Sequence, residues 1–298
     1  VAAKDALGTP ELGESVGGIV DLMIGFPRAD ASRTYDFMKP ALRERDQDTS
    51  QFPAGYMFKD VPNKLESEAD PIEETLAAMD RCGIAMGLVG AHGDVAKHAL
   101  KTYPDRFKAS IEVDANDVTK AVRKIRAAKE EWDIKAVTTF PAGLHPQVAV
   151  SDAKYYPIYQ TCIDLGIPIV TNAGIAGPRV PSACQDVMHF DQVCYDFPEL
   201  VIVMRHGAEP WQQLAVKLML KWPGLHYMTS AFAPKYYPRE IVDYANTRGI
   251  QKVMYAGYYP MGLSLDRIAN ELIDVPFREE TRKAFLRDNA VRVFKLLD

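Results

Sequence analysis

Eight short apolar runs, separated by longer amphipathic stretches, set the limits on what this chain can fold into. They occupy 18–25, 84–90, 107–113, 134–140, 167–173, 200–206, 225–230 and 252–258, each rich in Val, Ile, Leu or Met. Near-continuous hydrophobicity over so few residues is the mark of parallel strands covered on both faces. The intervening stretches carry helix signals. Asp70-Pro71 before Ile72-Glu73-Glu74 supplies an N-cap, a first-turn proline and two carboxylates at the positive end of the dipole, and Cys82-Gly83 closes that helix. Asp117 opens a charged helix running to Trp132. Lys154–Leu165 stops at Gly166, and Glu209-Pro210-Trp211 and Pro238-Arg239-Glu240 start two more.

Eight strand–helix units predict an α/β fold of the (β/α)8 TIM-barrel type, in a single domain over residues 1–298. A doubly wound open sheet needs fewer strands and a phosphate loop, and neither G-x-G-x-x-G nor a Walker sequence is present. The one long interruption, 27–70, follows the first strand and is predicted to carry a helix near Ser32–Arg45 and then Phe52-Pro53-Ala54-Gly55-Tyr56-Met57-Phe58-Lys59. A loop of that size after a barrel strand sits over the mouth, and its aromatics point to a lid or pocket wall; a surface excursion or subunit contact is the alternative.

A net charge of −5 gives no reason to expect nucleic acid or an anionic membrane as partner, and no apolar run approaches the roughly 20 residues that span a bilayer. Cys82, Cys162, Cys184 and Cys194 lack C-x-x-C spacing and read as free thiols in a reducing compartment. The start at Val1 shows no basic-then-apolar leader. A cytoplasmic protein is expected, with a small, anionic substrate as its partner and a homo-oligomer possible.

Four strand segments and one helix segment carry a resemblance. Ile19-Val20-Asp21-Leu22-Met23-Ile24-Gly25-Phe26 resembles the first barrel strand of the amidohydrolase superfamily, in its amidohydrolase-related, decarboxylase-like branch. Asp164-Leu165-Gly166-Ile167-Pro168-Ile169-Val170-Thr171-Asn172 is similar to the fifth strand with its preceding helix, and Leu200-Val201-Ile202-Val203-Met204-Arg205-His206-Gly207 to the sixth. Lys252-Val253-Met254-Tyr255-Ala256-Gly257-Tyr258-Tyr259-Pro260 is similar to the eighth, and Asp288-Asn289-Ala290 to the closing helix. The resemblance implies a divalent metal held by Asp-x-His-x-His in the first strand, histidines after the fifth and sixth, and an aspartate after the eighth. Here Met23, Gly25, Asn172 and Tyr258 stand at four of those positions, and His206 keeps an imidazole. A thioether is a poor ligand for a hard or borderline cation and glycine is none. No cofactor is therefore expected, and no metal site.

Residues at the C-terminal ends of barrel strands share one cavity. His206 is the candidate for proton transfer, since an imidazole ordinarily titrates near neutrality. Asp21 is expected to orient it, or to act as base if burial raises its pKa; a structural acceptor role is the alternative. Asn172 and Tyr258 are candidates for holding an oxyanion. Arg205, directly before His206, faces away from the interior in a regular strand and would pair with a helix acid; it meets a substrate carboxylate only if the strand breaks there. His92, at a predicted helix start, together with Thr138, Tyr259 and Phe58, completes the candidate substrate-binding set. Glu112 or Asp114, Thr139, Thr229 and Ser230 lie at strand ends as well.

Three functions fit. The first is a metal-independent enzyme of amidohydrolase ancestry, acting on a small organic, cyclic or aromatic acid by hydrolysis, lactone opening, hydration or carbon–carbon cleavage. The second is a metal-dependent hydrolase or decarboxylase with unusual ligands such as Asp21, His92 and His206. The third is a non-catalytic barrel that binds a ligand or partner.

Overall fold

The computed structural model describes residues 9–30, 33–47, 52–58, 61 and 69–297. Eight strands form one sheet in sequence order: β1 (Ile19–Asp21), β2 (Ile84–Gly90), β3 (Phe107–Glu112), β4 (Ala136–Thr139), β5 (Ile169–Asn172), β6 (Ile202–Arg205), β7 (Leu225–Met228) and β8 (Val253–Met254). Every neighbouring pair is parallel. Each strand lies inside one of the eight apolar runs. The helices Pro71–Arg81 and Val118–Trp132 start and stop as predicted; Tyr156–Leu165 stops before Gly166 as predicted but begins two residues after the expected Lys154, which lies in a 3₁₀ turn. Asp70 accepts from the Ile72 and Glu73 amides, Asp117 from Lys120, and Gly166 ends its helix in the left-handed region.

Two apolar layers result. Val20, Leu22, Met86, Leu88, Ala136, Val170, Val203, Met228, Met254 and Ala256 pack inside the barrel, and alternate residues pack outward against the helices. The closing helix Asn289–Phe294 plugs the lower end: Asn289 donates to the Ile250 and Val253 carbonyls at the start of β8, and Ala290, Val293 and Phe294 join the inner cluster. Among the described residues, no helix is long and apolar enough to cross a membrane. All four cysteines are buried free thiols.

The predicted helix at 32–45 does not form as such. Ser32 lies outside the described residues. A 3₁₀ turn covers Asp36–Met38 and a single α-turn Glu44–Gln47. Pro40 has no amide to continue the i→i−4 ladder, so the helix cannot run through it.

The seam between β8 and β1 closes through Tyr258 N to Met23 O at 2.9 Å, Gly25 N to Tyr259 O at 2.8 Å, and the Asp21 carboxylate. Asp21 is fully buried and accepts from Met23 N (2.9 Å), Gly257 N (2.9 Å) and the Tyr255 hydroxyl (3.2 Å). Gly257 is required there, because a Cβ would sit 2.6 Å from the Asp21 Oδ2. The expectation that Asp21 orients His206 is thereby corrected: its bonds fasten the barrel seam. Burial outweighs the three hydrogen bonds and pushes its pKa up to about 6.

Asp21→Ala should lose about 3 kcal/mol of unfolding free energy, since it strands two buried amide donors, while Asp21→Asn keeps an acceptor for both and loses less. Because the folded-state pKa lies above the ordinary 3.8, the aspartate's contribution is fullest at low pH and is lost as pH rises through about 6. Relative to Asp21→Asn, the wild-type protein should therefore gain stability between pH 7 and about 4 in urea titrations; a parallel pH dependence of the two proteins would contradict this.

Candidate active site

A cavity of about 1460 Å³ opens at the C-terminal ends of the strands. Asn172, Arg205, His206, Tyr258, His92 and Phe58 line it, as does Glu112; Asp21, Thr138 and Tyr259 do not. The Thr138 hydroxyl turns back to the Ile111 carbonyl at 3.3 Å, and Tyr259 packs in the outer layer.

Arg205 is the centre of the arrangement. Val203 belongs to the inner cluster, so the two-residue period of β6 turns Arg205 inward, opposite to its expected facing. The expectation had assumed that His206 holds the inward position. Instead the strand ends at Arg205, and the chain continues through three left-handed residues, His206 (φ 67°), Gly207 (φ 92°) and Ala208 (φ 57°). That break brings His206 to the same cavity. Asn172 is the register partner of Arg205 on β5, and its Oδ1 accepts from Arg205 Nε. Arg205 Nη2 donates to the Thr139 carbonyl at 3.5 Å and lies 3.6 Å from Glu112 Oε2. Nη1 makes no hydrogen bond to the described residues. The Glu112 side chain is 52% exposed, so the guanidinium is only partly offset. Burial pulls its pKa below the usual value and the Glu112 charge opposes this; a guanidinium stays charged regardless.

His206 is oriented by Ser230. The Ser230 Oγ accepts from the His206 backbone amide at 3.2 Å and meets its Nδ1 at 3.0 Å. Burial, then the Arg205 charge, pull the imidazole pKa down to about 3. The ring is therefore neutral near pH 7, where the sequence reading expected it to titrate. The same burial, with Arg28's charge second, lowers His92. Tyr258 (φ 102°) places its ring 5.2 Å from that of His206 and its hydroxyl 3.1 Å from the Tyr35 hydroxyl. Asn172, its oxygen engaged by Arg205, keeps only its amide NH2 for a ligand.

Residues of the long excursion form the wall. Phe52 and Phe58 stack at 5.4 Å, and both approach Tyr258. Lys59 lies outside the described residues. Farther along, the Tyr56 hydroxyl donates to Gly177 O at 2.7 Å, Arg179 sits 4.5 Å over the Tyr56 ring, and Arg179 lies 3.6 Å from Asp46. The segment thus leaves the end of β1 and fastens beyond β5, across the barrel mouth. Tyr35 and Ser230 carry roles the candidate set lacked. Ser230 was visible as a strand-end hydroxyl, but nothing local in the sequence pairs Tyr35 with Tyr258.

The donor set does not suit a divalent ion. Among the described residues no three His, Cys, Asp or Glu side chains converge. Asp21 is committed to the seam, Asn172 Oδ1 to Arg205, and His206 Nδ1 to Ser230. A fixed guanidinium stands beside the remaining positions, and like charges in a partly buried site repel strongly.

The family profile described as amidohydrolase matches residues 48–296. The chain belongs to the amidohydrolase family. Its fold is similar to a TIM-barrel protein from Bordetella bronchiseptica called uncharacterised (22% identity, 93% of this chain and 98% of that one, TM-score 0.74). It is similar also to 5-carboxyvanillate decarboxylase from Novosphingobium aromaticivorans, complexed with manganese and 4-hydroxy-3-methoxy-5-nitrobenzoic acid (16%, 99% and 100%, 0.68). A third is 4-oxalomesaconate hydratase from Rhodopseudomonas palustris (18%, 94% and 96%, 0.59). A search of curated protein sequences found no match.

The His206 ring should show no titration between pH 5 and 8 by NMR, and Arg205→Met should raise its pKa, because the second cause of the depression is removed. A wild-type midpoint near the ordinary histidine value would refute this account of the site.

Proposed function

We propose that this amidohydrolase-family enzyme acts on a small carboxylated, ring-bearing compound without a metal ion, using Arg205 as its fixed positive charge. The observation that carries the reading is the inward guanidinium at the cavity floor, held on one side by Asn172 and Glu112 with Nη1 left for a ligand. Planar donors of this kind match a carboxylate or an enolate oxygen. The aromatic wall of Phe52, Phe58 and Tyr258 supplies an apolar surface for a ring. The neighbours named as a 5-carboxyvanillate decarboxylase and a 4-oxalomesaconate hydratase take carboxylated substrates by name, which supports the same ligand class here.

The chemistry open to these groups is proton transfer around an oxyanion, as in hydrolysis, lactone opening, hydration or carbon–carbon cleavage. Arg205 stabilises charge developing on the substrate oxygen, in a site where burial strengthens electrostatics. The neutral His206, set by Ser230, is a weak base in the empty site. An anion seated on Arg205 offsets the charge that depresses it, so substrate binding itself raises the imidazole's basicity. Tyr258 donates a hydrogen bond, or its proton, to the developing anion. Asn172 holds Arg205 and presents its amide NH2.

The manganese in the decarboxylase neighbour favours a second reading, metal-dependent catalysis through unforeseen ligands. Metal analysis of protein purified without chelator decides between them, with well under one equivalent of zinc, manganese or iron expected. The nitrated benzoic acid found in that neighbour is a suitable probe: EDTA should leave its binding unchanged, and Arg205→Met should weaken it at least about 30-fold, the loss of a charged hydrogen bond in a buried site. Stoichiometric metal, or binding indifferent to Arg205, would overturn the proposal.

A further inference from the structure

Two phenols more than two hundred residues apart in sequence meet over the cavity floor. The Tyr35 and Tyr258 hydroxyls are 3.1 Å apart. Tyr258 comes from the end of β8, at φ 102°, held by its amide to Met23 O and its carbonyl to Gly262 N. Its ring is boxed in: a Cβ on Gly262 would meet its Cδ1 at 2.8 Å, and the His206 ring stands at 5.2 Å. Tyr35 comes from the excursion and stacks near Phe52 and Phe37.

A shared hydroxyl–hydroxyl bond uses one proton, so the accepting phenol keeps its own O–H for something else. Which of the two accepts is set by their surroundings. Burial raises both phenols; at Tyr258 the Tyr35 hydrogen bond and then the Arg205 charge oppose the rise, whereas at Tyr35 the neighbouring Tyr258 and Glu112 add to it. Once Tyr258 gives up its proton its oxygen can only accept, and the Tyr35 hydroxyl at 3.1 Å is placed to donate to it.

We propose that Tyr35 is a positioning residue: by donating its hydroxyl to the Tyr258 oxygen it directs the Tyr258 proton at the substrate atom held on Arg205, and steadies the phenolate left after transfer. This rests on the reading of Arg205 as the anion site. In the step, the Tyr258 O–H bond breaks as the substrate oxygen gains the proton. The electron pair stays on the Tyr258 oxygen between the Tyr35 hydroxyl and the Arg205 charge, and water returns the proton after product leaves. Arg205, Glu112 and His206, with Arg28 on the Tyr35 side, are the other charged or titratable groups around this pair.

The test is a double-mutant cycle with the same nitrated benzoic acid, whose ionised nitrophenol is read by absorbance. Tyr35→Phe keeps the ring and its packing. It should weaken binding about tenfold in the wild-type background, as loss of a bond supporting a charged partner does, and by less than about twofold when Tyr258 is already Phe. The pKa of the bound nitrophenol should rise in Tyr35→Phe, in the direction that Tyr258→Phe moves it. Equal losses in both backgrounds would make Tyr35 a mere packing residue and overturn the proposal, as would no loss in either. With Arg205→Met shown to weaken the probe, that result sinks the tyrosine coupling alone. A wild-type protein that does not bind the probe, or binds it without need of Arg205, sinks both.

Discussion

The structure turns on a guanidinium that the barrel has taken out of water. Desolvating a cation costs several kcal/mol unless hydrogen bonds and counter-charge replace the lost water. Asn172, the Thr139 carbonyl and Glu112 do so only in part, since Glu112 is half in solvent. The remaining positive potential adds to burial in depressing His206, opposes the burial that raises the Tyr258 phenol, and leaves a place for an anion. It also weighs against a metal. A divalent ion about 5 Å from the guanidinium would meet roughly 7 kcal/mol of repulsion at an effective dielectric of about 20. That is comparable with the whole binding free energy of a micromolar site, about 8 kcal/mol.

Backbone strain makes the constellation possible. His206, Ala231 and Tyr258, at the ends of three successive strands, all adopt left-handed φ without being glycine. Such residues cost of order 1 kcal/mol each and persist where surrounding contacts over-determine them. Here those contacts are the Ser230 hydroxyl on the His206 amide, Gly257 O on the Ala231 amide and Met23 O on the Tyr258 amide. The consequence is that two adjacent residues, Arg205 and His206, reach one cavity, which a continuous strand forbids.

This explains what the sequence could and could not disclose. The barrel was legible because buried strands and capped helices announce themselves over six to fifteen residues, and local pattern suffices. The cavity inventory was largely legible too, since strand ends converge by topology: Asn172, Arg205, His206, Tyr258 and His92 all arrive there. Facing was not. The orientation of Arg205 depends on register along β6 and on a break at His206 enforced by Ser230, 24 residues away. Asp21 misled for a similar reason, because its partners Tyr255 and Gly257 lie across a seam that no local pattern reveals. Tyr35 escaped notice because its role exists only through Tyr258, 223 residues distant.

The four positions where this chain lacks the metal ligands that the family resemblance implies each carry another structural commitment. Gly25 gives its amide to Tyr259 O in the seam, and a Cβ there would come to 3.5 Å from Pro260. Met23 lines the cavity and packs on the inner core. Asn172 anchors Arg205, and Tyr258 is bonded to the excursion through Tyr35. Restoring histidines at positions 23 and 25 alone would therefore not rebuild a cation site. A side chain at position 25 would start beside Pro260 and the Tyr259 carbonyl in the seam, and Gly25 does not line the cavity. With a guanidinium at the floor, Asn172, Glu112 and Tyr258 each meet a cation that cannot shed its charge.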